Sequence, residues 1–220
     1  MAGKKRRVYD SSGRQAAAAA TRRRVMDAAR RLFLERGYAG TTMPAIAADA
    51  GIALDTVYAA VGKKPALIRL LVETAISGED EGVPALERDY VRAVRAEPDA
   101  CAKIGIYAAA VGEIQPRLAP IFKVLQAAAP QDADLNSLWK EISGRRAANM
   151  RLLAQELTAT GRTRRELSID KIADILWSLN SPEFFLLLVG QRGWSHEEFA
   201  QWLADSWVRL LLAPAGKFRG

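Results

Sequence analysis

The segment DAGIALDTVYAAVGKKP, residues 49–65, decides how the rest of this chain reads. It opens at the end of a short alanine-rich run, Met43 to Ala50. Thr42 before that run is a good helix N-cap, and Pro44 is tolerated in a first helical turn. Gly51 then stops the helix, because glycine adopts positive φ without strain. A second short helix begins near Leu54 and ends by Gly62. Two helices that cross at a large angle need a small residue at the crossing, and Ala47 supplies one. Ile46, Ile52 and Val57 face a shared core. This is the spacing of a helix-turn-helix whose second helix can enter a major groove. Lys64 precedes Pro65, and proline favours the first helical position, so a fourth helix starts there with Lys64 at its N-cap. Leu67, Ile68, Leu71 and Val72 carry it forward at helical spacing.

Upstream, Gln15 to Arg36 reads as one helix. Alanines 16–20 are the strongest helix formers, and Val25, Ala28, Ala29, Leu32 and Phe33 recur as an apolar stripe. Gly37 closes it with a left-handed cap. The extreme N-terminus is basic. Residues 1–24 hold eight Lys or Arg and one acid, while the other 24 basic and 24 acidic residues cancel. The whole net charge of +7 therefore lies at one end. Such an arm suggests a polyanionic partner, nucleic acid or an anionic surface. The plain alternative is a solvated tail.

Beyond Gly78 the pattern stays helical. Segments 84–97, 99–114, 117–129 and 134–160 each place apolar residues three and four apart. Gly161 to Glu166 is a polar loop, and Ser168 to Asn180 is a further helix. Ser181-Pro182 restarts the chain as a helix over 183–191. Ser195 and Glu198 make a capping box for a last helix that runs to about Leu212. No alternating strand pattern competes, and no 20- to 50-residue repeat is present. The expected class is all-α.

Residues 25–67 resemble the DNA-binding region of the TetR family of transcriptional repressors. The resemblance rests on Phe33, Gly37-Tyr38, Thr41-Thr42, Ile46-Ala47, Ala50-Gly51-Ile52, Thr56-Val57-Tyr58, Lys64 and Leu67. It implies an N-terminal three-helix DNA-binding domain over 15–66, behind a basic disordered arm at 1–14. A helical effector-binding and dimerisation domain then occupies 67–220. By the same resemblance Leu54 to Val61 is the recognition helix, Tyr58 a phosphate-contacting hydroxyl and Lys64 a phosphate-binding cation. A helix N-terminus attracts anions, which supports Lys64 independently. Thr42 and Lys63 join the phosphate set. Leu54 can touch a thymine methyl, Asp55 can accept from a cytosine amino group, and Thr56 suits a base edge or a phosphate. Arg22, Arg23 and Arg24, or the cluster Lys4 to Arg7, are candidates to enter the adjacent minor groove. Ala53, Ala59, Ala60 and Val61 depart from the family's more polar or bulkier residues. Base readout is accordingly expected to be modest, with shape and backbone contacts carrying much of the affinity.

In TetR-like proteins the middle helices enclose a ligand cavity. Tyr107, Phe122, Trp139, Met150 and Trp177 are the candidates to line one for a hydrophobic or aromatic effector. Leu152, Leu153 and Leu157, with the apolar segments Phe184 to Val189 and Trp202 to Leu212, are candidates for a homodimer face. The implied protein is a ligand-responsive repressor that binds a palindromic operator. The alternative is an effector-independent DNA-binding or architectural regulator with a filled C-terminal core. One His, one Cys and no Gly-rich phosphate loop argue against an enzyme and give no reason to expect a metal or other cofactor. The apolar runs fall short of the roughly 20 residues of a membrane span, and no apolar leader follows the basic N-terminus. A cytoplasmic protein without membrane attachment is expected. Cys101, in an apolar stretch, reads as a small buried thiol.

Overall fold

The computed structural model describes residues 11–78 and 83–214. These are helical, with one isolated bridge between Thr163 and Leu212 and no β-strand among the described residues. The chain divides into two compact units after Leu70.

The first unit contains α1 (Ser11–Arg36), α2 (Met43–Ala50), α3 (Leu54–Val61) and the start of α4 (Lys64–Ser77). The helix expected from Gln15 thus begins four residues earlier, inside the span read as arm. The alanine run propagates helix backwards as readily as forwards, since each added residue gains one backbone bond. The predicted stripe is the core face: Val25, Ala29 and Phe33 are fully buried, and Ala28 and Leu32 nearly so. Ile46, Val57, Leu67 and Ile68 complete this core. The side chain of Thr42 accepts from the Ala45 N–H, so the expected cap is present. Gly51 has φ 63° and donates to the carbonyls of Ala47 and Ala48. α4 starts at Lys64 rather than Pro65, and Lys63 supplies the carbonyl accepting its first bond.

The second unit contains the rest of α4, then α5 (Asp89–Ala96), α6 (Ala100–Ala128), α7 (Ala133–Ala159), α8 (Ile169–Leu179), α9 (Pro182–Phe185) and α10 (His196–Leu211). α6 packs on α10 and α5, and α7 packs on α8. Their shared core includes Ile104, Leu153, Leu157, Ile172, Phe199 and Trp207. Leu153 and Leu157 therefore fill the protomer, leaving Leu152 as the exposed member of that group.

Four sequence expectations change here. Segment 84–97 is a 3-10 turn, Ala85–Glu87, followed by α5, because Arg88 is extended at ψ 137°. Segments 99–114 and 117–129 fuse into α6 with Pro116 and Pro120 inside it. An interior proline costs about 3 kcal/mol. Burial of Val111, Leu118, Ile121, Phe122 and Leu125 on both sides of the break outweighs that. Segment 183–191 is α9 followed by a π-helical turn, Leu186–Gln191. Cys101 is exposed rather than buried, on the first turn of α6.

Ile169–Gln191 is 23 residues long with mean hydropathy 1.4, so it is long and apolar enough to cross a membrane by length and composition. That exceeds the apolar runs counted from sequence. The stretch is interrupted where Ser181 accepts from the Phe184 N–H and starts a new helix, and its Ile172 and Leu176 are core residues.

Candidate nucleic-acid interface and internal cavity

α2 and α3 meet at 103° across the turn Gly51–Ala53. That is the angle of a helix-turn-helix. Val57 and Val61 hold α3 against the core, which leaves Asp55, Thr56 and Tyr58 exposed and Leu54 half-buried. Tyr58 is 42% exposed, large for an aromatic side chain in so small a unit. Thr42 and Lys63 are also exposed. Five of the residues predicted from sequence to touch DNA thus have accessible side chains on α3 and the turns beside it. α3 has no side-chain cap hydrogen bond at Ala53, as its alanine dictates.

Lys64 also has partners within the first unit. Its Nζ donates to the backbone oxygens of Tyr38 and Thr41, each at 2.9 Å. It also sits 4.0 Å from the centroid of the Tyr38 ring. Tyr38 in turn stacks on Phe33 at 5.7 Å. The ammonium is half-buried and fastens the first turn of α4 to the α1–α2 connection. Beside it, the buried Thr41 hydroxyl donates to Leu32 O at 3.0 Å and Gly37 O at 2.8 Å. Sequence reading found the cation and missed its carbonyl partners, because nothing in linear spacing brings residue 64 to residues 38 and 41.

The three arginines of the expected minor-groove set stand within α1, not on an extended arm. Arg24 donates to Ala50 O at 2.6 Å, so it braces the end of α2. Arg22 is half-buried and its Nε has no partner, and Arg23 is exposed. The cluster Lys4 to Arg7 lies outside the described residues. Arg31 pairs with Asp49 and ties α1 to α2. Residues 1–70 hold 14 basic and five acidic side chains, against 18 and 20 in the rest of the chain.

Within the second unit a cavity of about 420 Å³ opens among α4, α5, α6, α7 and the α8–α9 junction. Tyr107, Phe122 and Met150 line it, as expected. Trp139 and Trp177 do not. Trp139 packs on Phe122 with centroids 4.5 Å apart, behind the wall. Trp177 is 37% exposed on α8 and carries the Arg146 guanidinium 4.5 Å from its ring centroid.

The cavity has a polar side that sequence reading missed. Arg88, Arg145, Arg146, Glu73, Gln115 and Asn180 all contribute to its wall. Arg145 pairs with Glu73 at 3.7 Å. Arg146 donates from Nε to Asn180 Oδ1 at 3.2 Å and from a terminal nitrogen to Trp177 O. Burial lowers Arg146 to about 10, opposed by the charge of Glu183, and leaves it cationic at neutral pH. Burial also raises the Tyr107 phenol well above its ordinary value, with the Tyr90 phenol adding to the effect. Tyr107 therefore serves as a neutral hydroxyl. The two tyrosine rings meet edge to face at 5.4 Å. The available signal for this polar side was one amide, Gln115, standing between Ile114 and Pro116.

Residues 25–70 match the family of bacterial regulatory proteins designated tetR. No curated protein matches the sequence. Among solved structures, the chain resembles NalD, the secondary repressor of the MexAB-OprM multidrug efflux pump in Pseudomonas aeruginosa. The TM-score is 0.69 at 19% identity, over 90% of this chain and 99% of that one. A protein assigned as a transcriptional regulator from Saccharomonospora viridis, solved in complex with choline, gives 0.65 at 18% identity, over 87% and 97%. SmeT in its triclosan complex gives 0.62 at 17% identity, over 89% and 93%. At these identities the structural likenesses speak for the fold, and residues 25–70 speak for the sequence family. Residues 25–70 thus carry a tetR-type DNA-binding segment, and the chain as a whole shares the fold of these solved regulators.

Proposed function

We propose that the chain is a ligand-responsive repressor, acting in the cytoplasm as a homodimer on a palindromic operator. α3 lies in the major groove. Leu54, Asp55 and Thr56 face base edges, while Thr42, Tyr58 and Lys63 contact phosphates. Lys64 holds the α4 terminus in place for them, and any phosphate it reaches is an added contact. Arg22 and Arg23 extend the basic surface along α1. Occupation of the cavity favours a conformation with wrongly spaced reading helices, so ligand and operator weaken each other reciprocally. The observation that carries this reading is the pairing of an exposed, cation-flanked α3 with a separate cavity of about 420 Å³. That volume lies within the range for small-molecule sites, about 300–1,000 Å³. It also disfavours an effector-independent regulator with a filled core. The choline and triclosan held by two similar structures lend support to a ligand-responsive role.

Genomic footprinting with the purified chain tests the proposal. The expected protected site is a palindrome with half-site centres about 34 Å apart. Failure to retain any duplex at physiological salt would overturn it.

A further inference from the structure

The cavity wall fixes one hydrogen-bonding position by elimination. Gln115 is 4% exposed and Asn180 is 5% exposed. The Gln115 amide donates from Nε2 to Asn180 O at 2.7 Å. A backbone carbonyl only accepts, so the atom facing it must be the NH2. That assignment leaves Oε1 as the remaining polar atom, and it is buried with no partner. Asn180 is fixed by the same logic. Arg146 only donates, so the Asn180 atom that meets it is Oδ1, and Nδ2 faces the Met150 sulfur at 3.1 Å. One asparagine thus gathers an orphaned acceptor and a guanidinium at the same corner of the cavity.

Among the described residues the charge at that corner is also unbalanced. Arg146 uses two of its five N–H groups on protein oxygens. Arg88 donates to Val83 O at 3.1 Å and to the Tyr90 hydroxyl at 3.4 Å. Among the described residues neither guanidinium has a carboxylate within the 4.0 Å of an ion pair. Glu183, the acid whose charge acts on Arg146, is exposed and accepts from Gln126. The rest of the lining includes the apolar Val111, Leu118, Phe122, Ile142 and Met150.

Resting on the ligand-responsive reading above, we infer that the cavity takes an amphipathic organic anion: an apolar or aromatic body, an acid group held by Arg146 with Arg88, and a hydrogen-bond donor received by Gln115 Oε1. The unpaired acceptor requires a donor, because a buried polar atom without a partner is costly. The guanidiniums offer forked donors that suit a carboxylate. This adds an acid group to the hydrophobic or aromatic effector expected from the aromatic residues alone.

The full chain is titrated calorimetrically with naphthoate, its hydroxylated isomers, neutral naphthylmethanol and cationic naphthylmethylammonium. The expected order is hydroxynaphthoate, naphthoate, naphthylmethanol, with the cation weakest. In Gln115→Met the preference for hydroxynaphthoate over naphthoate falls by about tenfold, the scale of one hydrogen bond. In Arg88→Met, which leaves the Asn180 network intact, the preference for naphthoate over naphthylmethanol falls. A misfolded variant loses all ligands together, whereas these variants change ratios. Binding of the cation ahead of the acids, or equal affinity for acid and neutral compounds, overturns the inference, as does failure of all four. Operator release by a neutral or cationic compound alone would sink the anion and keep the repressor. Acid binding without any effect on the operator would do the reverse.

Discussion

The carbonyls of Tyr38 and Thr41 both accept from the Lys64 ammonium. Hydrogen bonds to a charged group contribute about 1.5–3 kcal/mol each, net of the water they replace. Lys64→Met should therefore destabilise the first unit by about 2 kcal/mol, discounted for partial exposure. Chemical denaturation followed by amide exchange in α1 to α3 measures this; unchanged stability would return Lys64 to a purely DNA-facing role. Lys63 and Tyr58 should separate cleanly from it. Lys63→Ala lowers the slope of log affinity against log salt by about 0.9 for each phosphate it had neutralised, at unchanged stability. Tyr58→Phe weakens binding by about 0.5–1.5 kcal/mol and leaves that slope alone, since no counterion is released. Filter binding over a salt series distinguishes the two. At this scale the sequence was legible where one residue caps or packs its own helix, as with Thr42 and Val57. It was opaque where partners come from distant segments, as with Lys64 and Tyr38, or Gln115 and Asn180.

Gly112 shows what an element can conceal. It lies buried in α6, where an added Cβ would come 2.8 Å from Ala200 Cβ and 3.2 Å from His196 O on α10. Alanine favours a helix over glycine by about 1 kcal/mol, yet overpacking a tight contact costs about 1–3 kcal/mol. Gly112→Ala should lose about 1 kcal/mol net, through separation of α6 from α10. Gly144 is the control. It stands in α7 with nothing within 4 Å of the added atom, so Gly144→Ala should gain about 0.5–1 kcal/mol. Thermal unfolding of the pair checks both signs, and like signs would refute the packing argument. Helix positions were legible because three- and four-residue spacing and caps such as Thr42, Ser181 and Ser195 are local signals. The unbroken α6 was not, because Pro116 and Pro120 say stop locally while packing on both flanks says continue. The π-wound turn at Leu186–Gln191 likewise has no mark in an apolar run that fits an α-helix equally well.

Across the whole chain the charge is divided: residues 1–70 are strongly basic and the remainder slightly acidic. Non-specific affinity for duplexes should reside in the first unit. Deleting residues 1–10 removes Lys4 to Arg7 and should reduce the salt slope by about 0.9 for each phosphate left without its cation, with little change in which sequence is preferred. An unchanged slope would free the arm from any part in binding. The overall class and the order of the two units were readable from residues 25–67 and the helical periodicity behind them. The polar side of the cavity was not, since it assembles from α4, α5, α6, α7 and the α8–α9 junction. One further property is practical. Cys101 is the chain's single cysteine and its thiol is open to solvent on the first turn of α6. A nitroxide introduced there needs no cysteine-free background. In a symmetric pair it would give one spin–spin distance, whose shift on adding operator or an aromatic acid would report the rearrangement directly.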